Sequence, residues 1–166
     1  MTVRILLAAT ALFSLLAGTA AAQETLVTYK SLSPELALDL ARATLADCRK
    51  RGFQVSVAVV DRFGVTQVLL RDRFAGPHTV STASGKAWTA VSFRTSTTEL
   101  NAISQPGMMQ AGIRHLPGAV ILGGGLTVEA AGSLLGAVGV SGAPGGDADE
   151  ACAKAGIDAV RDRLDF

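Results

Sequence analysis

The 166-residue chain is poor in the residues that build nucleic-acid or zinc sites: it has two histidines, two cysteines, one tryptophan and one tyrosine. Its 15 basic and 14 acidic residues give a formal net charge of +1, and no extended basic run occurs. Nucleic-acid-binding proteins rely on clustered positive charge and stacking aromatic side chains. The composition therefore argues against a nucleic-acid partner. Two isolated histidines also do not have the spacing of a zinc site.

Long hydrophobic runs are also scarce, and the one at the amino terminus has the order of a secretory signal peptide. Residues 1–22 carry one cation, Arg4, then an apolar stretch, and they end in three alanines. The apolar part is short for a membrane-spanning helix. We predict cleavage after Ala22, a mature domain over residues 23–166 and a periplasmic or secreted protein. A retained membrane anchor is the alternative, and the interrupted apolar stretches farther along predict no stable membrane insertion.

The first predicted helix follows Ser33, which can cap it, and begins with Pro34, which fits the first turn. Gly52 ends this helix. Its apolar side consists of Ala37, Leu38, Ala41, Leu45 and Cys48. This pattern predicts an amphipathic helix that packs on a core and turns Cys48 inward.

The last predicted helix begins at Asp147 and Glu150, which are spaced as a capping box. Cys152 belongs to a stripe of small residues that lets another element come close. Because both cysteines face inward, we predict a Cys48–Cys152 disulfide that joins the first and last helices. Two buried free thiols are the alternative.

Five apolar segments are predicted to be strands. They are Val55–Val60, Val65–Leu70, GAVILGGG, LTVEA and SLLGAVGVSG. The first two flank the hairpin turn Asp61–Gly64. With helices before, between and after them, this order predicts an α+β single domain with a five-stranded antiparallel sheet and packed helices. A short helix capped by Ser96 is also predicted.

A second long helix is predicted from Pro77 to about Phe93, and it carries the first histidine at its start. Its core face is Val80, Ala83, Ala87 and Val91. The other side carries Thr82, Lys86 and Thr89, in line with His78 if the helical phase extends back to it. His78 is therefore either a functional side chain or a structural residue that hydrogen-bonds the backbone of a Pro turn.

Two glycine-containing motifs do not fit well-known sites. Gly123–Gly125 follows a predicted strand but lacks the spacing of a dinucleotide fingerprint or a P-loop, so we interpret it as a tight turn. The segment Gly139–Gly142 contains Ser141, yet a nucleophile elbow needs Gly-x-Ser-x-Gly and a placed histidine and acid. A serine hydrolase is therefore not favoured.

The remaining candidates are soft or basic ligands. They are His78, Lys86, Met108, Met109 and His115. Neutral imidazole and thioether sulfur are good haem-iron ligands, and Lys86 or Arg114 is able to meet a propionate. The alternatives are ordinary: the methionines fill a core gap, and His115 is a surface residue.

Four stretches resemble the haem-binding, haem-degrading GlcG/HbpS family in order and in register. They are VAVVDRFGVTQVLLRD, AGPHTVSTASGKAWTAVSF, GGGLTVEAAGSLLGAVGVSGAP and DEACAKAGIDAV. The resemblance spans about Leu32 to Val160. It implies a profilin-like domain that assembles into homo-oligomers, with the His78–Thr79 turn and the helix around Lys86 as the pocket region.

The residues and the resemblance together predict an exported, oligomeric haem-binding protein that takes part in haem or iron handling or in redox sensing. The expected cofactor site comprises His78, Thr79, Lys86, Met108, Arg114 and His115, with His78 as the metal ligand. An enzyme that acts on haem or a small organic metabolite in the same pocket is the first alternative, with His78 as acid or base. A module that works through a sensor protein partner is the second.

Overall fold

The protein is described from a computed structural model that places residues 25–164. The predicted signal peptide lies outside these residues. The elements are α1 (Pro34–Lys50), β1 (Ser56–Asp61), β2 (Thr66–Arg71), α2 (His78–Phe93), α3 (Thr97–Ile103), a 3-10 turn (Ala111–His115), β3 (Gly125–Ala130), β4 (Ser133–Ser141), α4 (Gly146–Ala159) and a second 3-10 turn (Arg161–Arg163). No helix within residues 25–164 is long and apolar enough to span a membrane.

The sheet has four strands in the order β2-β1-β4-β3, and every neighbouring pair is antiparallel. The prediction of an α+β fold with an antiparallel sheet is confirmed, but the predicted number of five strands is wrong. The segment GAVILGGG pairs with no strand before Gly125, where β3 begins.

This segment runs along α2 instead of joining the sheet. The Val120 N–H donates to the Thr89 hydroxyl on α2 at 2.8 Å, and Ile121 is buried. Gly118 and Gly124 adopt φ values of +85° and +114°, which interrupt an extended backbone. A side chain of α2 thus satisfies the Val120 N–H, and the first backbone bond of this segment to β4 is the one that the Gly124 carbonyl oxygen accepts from the Val140 N–H at 2.9 Å.

The two faces of the sheet have different cores. One face packs against α1 and α4 through large aliphatic residues, including Leu40, Leu45, Val57, Val59, Val138 and Val140. The other face packs against α2 through small residues, including Ala58, Ala83, Ala87, Ala90, Val91 and Ala137. Successive residues of β1 and β4 alternate between these cores, as the period of a strand requires.

Helix α2 lies very close to β4. A Cβ placed on Gly139 would collide with the Ala83 carbonyl oxygen and would lie 2.6 Å from the Ala87 nitrogen. Only glycine fits here, because its lack of a side chain lets the helix backbone touch the strand. This contact fixes α2 over the sheet and determines the position of every side chain that α2 contributes.

The predicted caps are confirmed for two helices and wrong for a third. Ser33 accepts a hydrogen bond from the Leu36 N–H, and Ser96 accepts one from the Glu99 N–H. The capping box predicted for α4 does not form, because this helix begins at Gly146 and its N-cap residue makes no side-chain hydrogen bond. The N-cap is Gly145, two residues before the Asp147 of the predicted capping box.

The predicted disulfide is present between Cys48 on α1 and Cys152 on α4, with a Cα–Cα distance of 5.4 Å. Both cysteines are fully buried. The two helices touch closely beside it, where a Cβ on Gly156 would collide with the Thr44 hydroxyl. The disulfide therefore links two residues that are 104 positions apart in the sequence, within the core that α1 and α4 form with the sheet.

Candidate functional site

The start of α2 places His78 on the surface and Thr79 in the interior. The Gly76 carbonyl oxygen accepts hydrogen bonds from the Thr79 N–H at 3.0 Å and the Thr79 hydroxyl at 2.6 Å. Pro77 has φ −60° and is preset for the helix that follows it. The imidazole of exposed His78 lies over Gly76, where a Cβ would come within 2.7 Å of its Cε1 atom.

An open groove of about 830 Å³ begins at this turn, a size typical of small-molecule sites. Its walls are the α2 start, the loops after α1, β2 and β4, part of α3 and the segment before β3. The large apolar side chains among its lining residues are Phe53, Phe74 and Leu122, and the polar ones include His78, Thr79, Thr82, Lys86, Thr98, Asn101, Ser141 and Asp149.

A buried ion pair lies at the inner side of the groove. Lys86 Nζ is 2.7 Å from Asp149 Oδ2 and donates to the Val140 carbonyl oxygen at 2.9 Å. Asp149 Oδ1 accepts from the Ala143 N–H at 3.0 Å. Lys86 and Asp149 are each 3% exposed. The pair thus ties α2 to α4, to the end of β4 and to the loop after it.

Burial raises the pKa of the Asp149 carboxyl, because removal from water disfavours its charged form. The Lys86 ammonium and the Ala143 N–H act in the opposite direction by stabilising the carboxylate. The aspartate is therefore costly to bury and depends on both partners. Its neighbour Asp147 lies on the rim of the groove and is exposed.

The polar side chains beside this ion pair form a second cluster. The hydroxyls of Ser56 on β1 and Thr79 on α2 form a hydrogen bond of 2.8 Å, and both residues are buried. Ser141 on β4 is the register partner of Ser56 and is 5% exposed. A Cβ on Gly142 would lie 3.4 Å from Thr79 Cγ2, so the loop after β4 closes against the first turn of α2.

The structure brings together half of the predicted cofactor residues. His78, Thr79 and Lys86 all line the groove. Met108, Arg114 and His115 lie on the segment between α3 and β3 and do not line it. These two groups are separated only by long-range contacts, which a local sequence pattern does not reveal.

Arg114 has a structural role in this second segment. Its Nε donates to the Ser104 carbonyl oxygen at 2.6 Å, and a terminal nitrogen donates to the Asn101 carbonyl oxygen at 3.1 Å. These bonds hold the carboxyl end of α3. Met109 is 95% exposed and Met108 is 49% exposed, so neither methionine fills a core gap.

Sequence reasoning missed the residue that pairs with Lys86. Asp149 stands among three acidic residues near the start of the last helix, which is where acidic residues commonly favour the helix dipole. Because the helix dipole already explains an acidic residue there, the sequence does not indicate that Asp149 pairs with Lys86. The fold shows that its side chain points to α2. Within residues 25–164, no cluster of three histidine, cysteine, aspartate or glutamate residues has metal-binding geometry.

Comparison with known proteins gives relatives of the same fold. A double mutant of HbpS from Streptomyces reticuli has a solved structure that is 40% identical, with a TM-score of 0.78, covering 87% of this chain and 97% of that one. A solved complex of PduOC with haem is 34% identical, with a TM-score of 0.74, covering 78% of this chain and 94% of that one.

Among curated proteins, the corrinoid adenosyltransferase PduO of Salmonella typhimurium is 37% identical over 105 residues, which is 62% of this chain and 31% of that protein. The chain thus spans about a third of the length of the curated relatives it matches. The family model described as haem degrading protein HbpS-like matches residues 32–158. The chain belongs to this HbpS-like family.

Proposed function

We propose that this protein binds haem in the groove beside the start of α2, with the His78 imidazole as iron ligand. One observation carries the assignment: His78 lies on the groove wall, and neither ring nitrogen makes a hydrogen bond to a residue within 25–164. A neutral imidazole with a free nitrogen is a common axial ligand of haem iron. Membership of the HbpS-like family and the haem complex of the PduOC relative support the same choice.

The shape and lining of the groove suit a flat apolar ligand. Phe74 and Leu122 line it with 79% and 56% of their surface exposed. Large apolar side chains left open at a concave surface are stabilised when a ligand covers them. Both line the same groove as His78.

The predicted propionate partners gain no support from their contacts. Lys86 is already bonded to Asp149 and the Val140 carbonyl, and Arg114 is bonded to two carbonyl oxygens of α3 and its end. Met108 and His115 lie on the segment between α3 and β3, off the groove, and their contacts with haem remain predictions. The proposal therefore rests on His78, Thr79 and the groove.

We also propose that the protein is exported to the periplasm or beyond and works as a homo-oligomer with a sensor partner. The signal-peptide pattern and the Cys48–Cys152 disulfide support export, because stable disulfides belong to oxidising compartments. The oligomer, the partner and the redox role rest on the family resemblance alone.

Enzymatic haem breakdown in the same groove is the second candidate. The description of the matching family model favours it, and His78 places an imidazole, a side chain that often serves as acid or base in catalysis, on the groove wall. Formation of an open-chain product from haem, dioxygen and a reductant would distinguish turnover from binding. Free iron must be chelated in that assay, because haem also degrades without an enzyme.

The test of haem binding is a hemin titration of the chain from Gln23, followed by absorbance. We expect a saturable shift of the Soret band that His78→Ala abolishes. His115→Ala is the matched control, because His115 is also exposed but lies off the groove. A featureless titration of the unaltered protein would overturn haem binding, and loss only in His115→Ala would move the site to the second segment.

A further inference from the structure

Gly76 lies directly against the imidazole of His78, in the turn that begins α2. A Cβ on Gly76 would lie 2.7 Å from Cε1, 2.9 Å from Nδ1 and 3.8 Å from Nε2 of this ring. These are the three nearest heavy atoms outside Gly76 and its chain neighbours. Non-bonded heavy atoms pack at about 3.5–4.0 Å. The ring therefore keeps this place only because position 76 has no side chain.

The backbone of the turn does not itself require glycine, and it is held firmly. The φ angle of Gly76 is not positive, so another residue is able to adopt the same conformation. The Gly76 carbonyl oxygen accepts two hydrogen bonds from Thr79, whose hydroxyl also bonds that of Ser56 on β1. Before the glycine, the Ala75 N–H donates to the Asp72 carbonyl oxygen at 3.1 Å. A side chain at position 76 would therefore displace the exposed imidazole and leave the turn in place.

The same contact distinguishes the two ring nitrogens of His78. Nδ1 belongs to the edge of the ring that lies against Gly76, whereas Nε2 is the nitrogen farther from the turn. A metal binds an imidazole nitrogen along its lone pair, in the plane of the ring, and needs open space there. Because His78 lines the groove, the turn obstructs Nδ1 and leaves Nε2 accessible to a ligand.

We propose that Gly76 is a positioning residue for the metal ligand: it holds the imidazole of His78 so that Nε2, and not Nδ1, binds the metal of a molecule in the groove. The nature of that metal rests on the proposed function, which makes it haem iron. The position of the ring does not rest on it, because the turn sets that position in the free protein.

The first measurement uses NMR on the haem-free chain from Gln23. We expect a nuclear Overhauser effect between Hε1 of His78 and the Hα protons of Gly76, because these groups are in contact. Gly76→Ala should shift the ring resonances of His78. Gly112→Ala is the matched control and should leave them unchanged, since a Cβ there meets nothing within 4 Å. Absence of the Overhauser effect, or unchanged ring resonances in Gly76→Ala, would overturn the positioning role.

The second measurement titrates hemin into the same three proteins. We expect Gly76→Ala to raise the dissociation constant about fivefold, as for a side chain that must leave its preferred rotamer to bind. Gly112→Ala should bind as the unaltered protein does. Because the displaced ring is exposed, Gly76→Ala should not melt at a lower temperature. Unchanged affinity, or an affinity loss that comes only with a lower melting temperature, would overturn the proposal.

The third measurement identifies the nitrogen. Gallium protoporphyrin IX is added to the ¹⁵N-labelled protein, and the long-range ¹H–¹⁵N spectrum of the His78 ring is recorded. We expect the larger ¹⁵N shift at Nε2, and a larger shift at Nδ1 would overturn the proposed orientation. If the unaltered protein binds neither porphyrin, the haem function fails, whereas the Overhauser effect in the haem-free protein still decides whether Gly76 places the ring.

Discussion

The two faces of the sheet differ in what they bury. The face under α1 and α4 is filled by large aliphatic side chains and a disulfide. The face under α2 is lined by alanines and a glycine, and at one end it buries Lys86, Thr79 and Ser141. Large apolar burial stabilises, whereas buried charge costs free energy unless it is paired. Burial on the first face therefore stabilises the fold. Burial of polar groups beside the groove, on the second face, costs part of that free energy.

The largest expected effect is on the stabilising face. The double variant Cys48→Ala, Cys152→Ala should lower the free energy of unfolding by about 4 kcal/mol, because the unfolded chain is no longer constrained across a long loop. Urea unfolding of the chain from Gln23 would measure it. Hemin binding by the folded double variant should stay unchanged, and a lost Soret shift would contradict the separation of the two faces.

The next effect is on the groove face. Asp149→Ala should lower the free energy of unfolding by about 3 kcal/mol, because it leaves the Lys86 ammonium buried without its counterion. The double variant Lys86→Met, Asp149→Leu is the control and should lose less, since it removes both charges. Equal losses in the two variants would show that the cost comes from packing and not from an unpaired charge.

These two pairings show how far the sequence leads. The cysteines were placed correctly, because each lies on a long amphipathic helix whose inward side is plain from its period. The ion pair was missed, because Lys86 and Asp149 are 63 residues apart and belong to helices on opposite faces of the sheet. Nothing in the local pattern of either helix reveals that Asp149 reaches past the end of β4 to α2.

The predicted strand GAVILGGG is wrong for the same reason, namely that contacts distant in the sequence determine its structure. GAVILGGG has the composition of a strand, but the hydroxyl of Thr89 on α2 takes the hydrogen bond that would have paired it. The hairpin at Asp61–Gly64 was predictable from local residues alone, and there the Asp61 side chain accepts from the Phe63 and Val65 N–H groups. Local turn chemistry is readable from the sequence, whereas competition between distant partners is not.

A moderate effect is expected where α2 meets the sheet. Gly139→Ala should lower the free energy of unfolding by about 2 kcal/mol, because the new Cβ collides with the Ala83 carbonyl and forces the helix outward. Gly112→Ala is the matched control, since a Cβ there meets nothing within 4 Å. Thermal melts of both variants would measure the difference, and similar melting temperatures would contradict the close contact.

The smallest effect is at the start of α3. The Thr95 hydroxyl and the backbone at Ser96 donate to Glu99 and lower the pKa of its carboxyl. A lowered pKa in the folded state adds stability that is present above the unfolded pKa and is lost as the pH falls through the folded one. Glu99→Gln should therefore melt slightly lower than the unaltered protein at neutral pH, and this difference should shrink as the pH falls through the pKa of the folded carboxyl. A difference that grows on acidification would contradict this sign.

The groove beside the start of α2 is the proposed ligand site. Titration with gallium protoporphyrin IX, a diamagnetic substitute for haem, followed by amide NMR shifts, tests it most directly. We expect the largest shifts at residues 76–82 and 142–146, with little change at residues 108–116. Shifts confined to residues 108–116 would instead assign the ligand to the segment of Arg114 and His115.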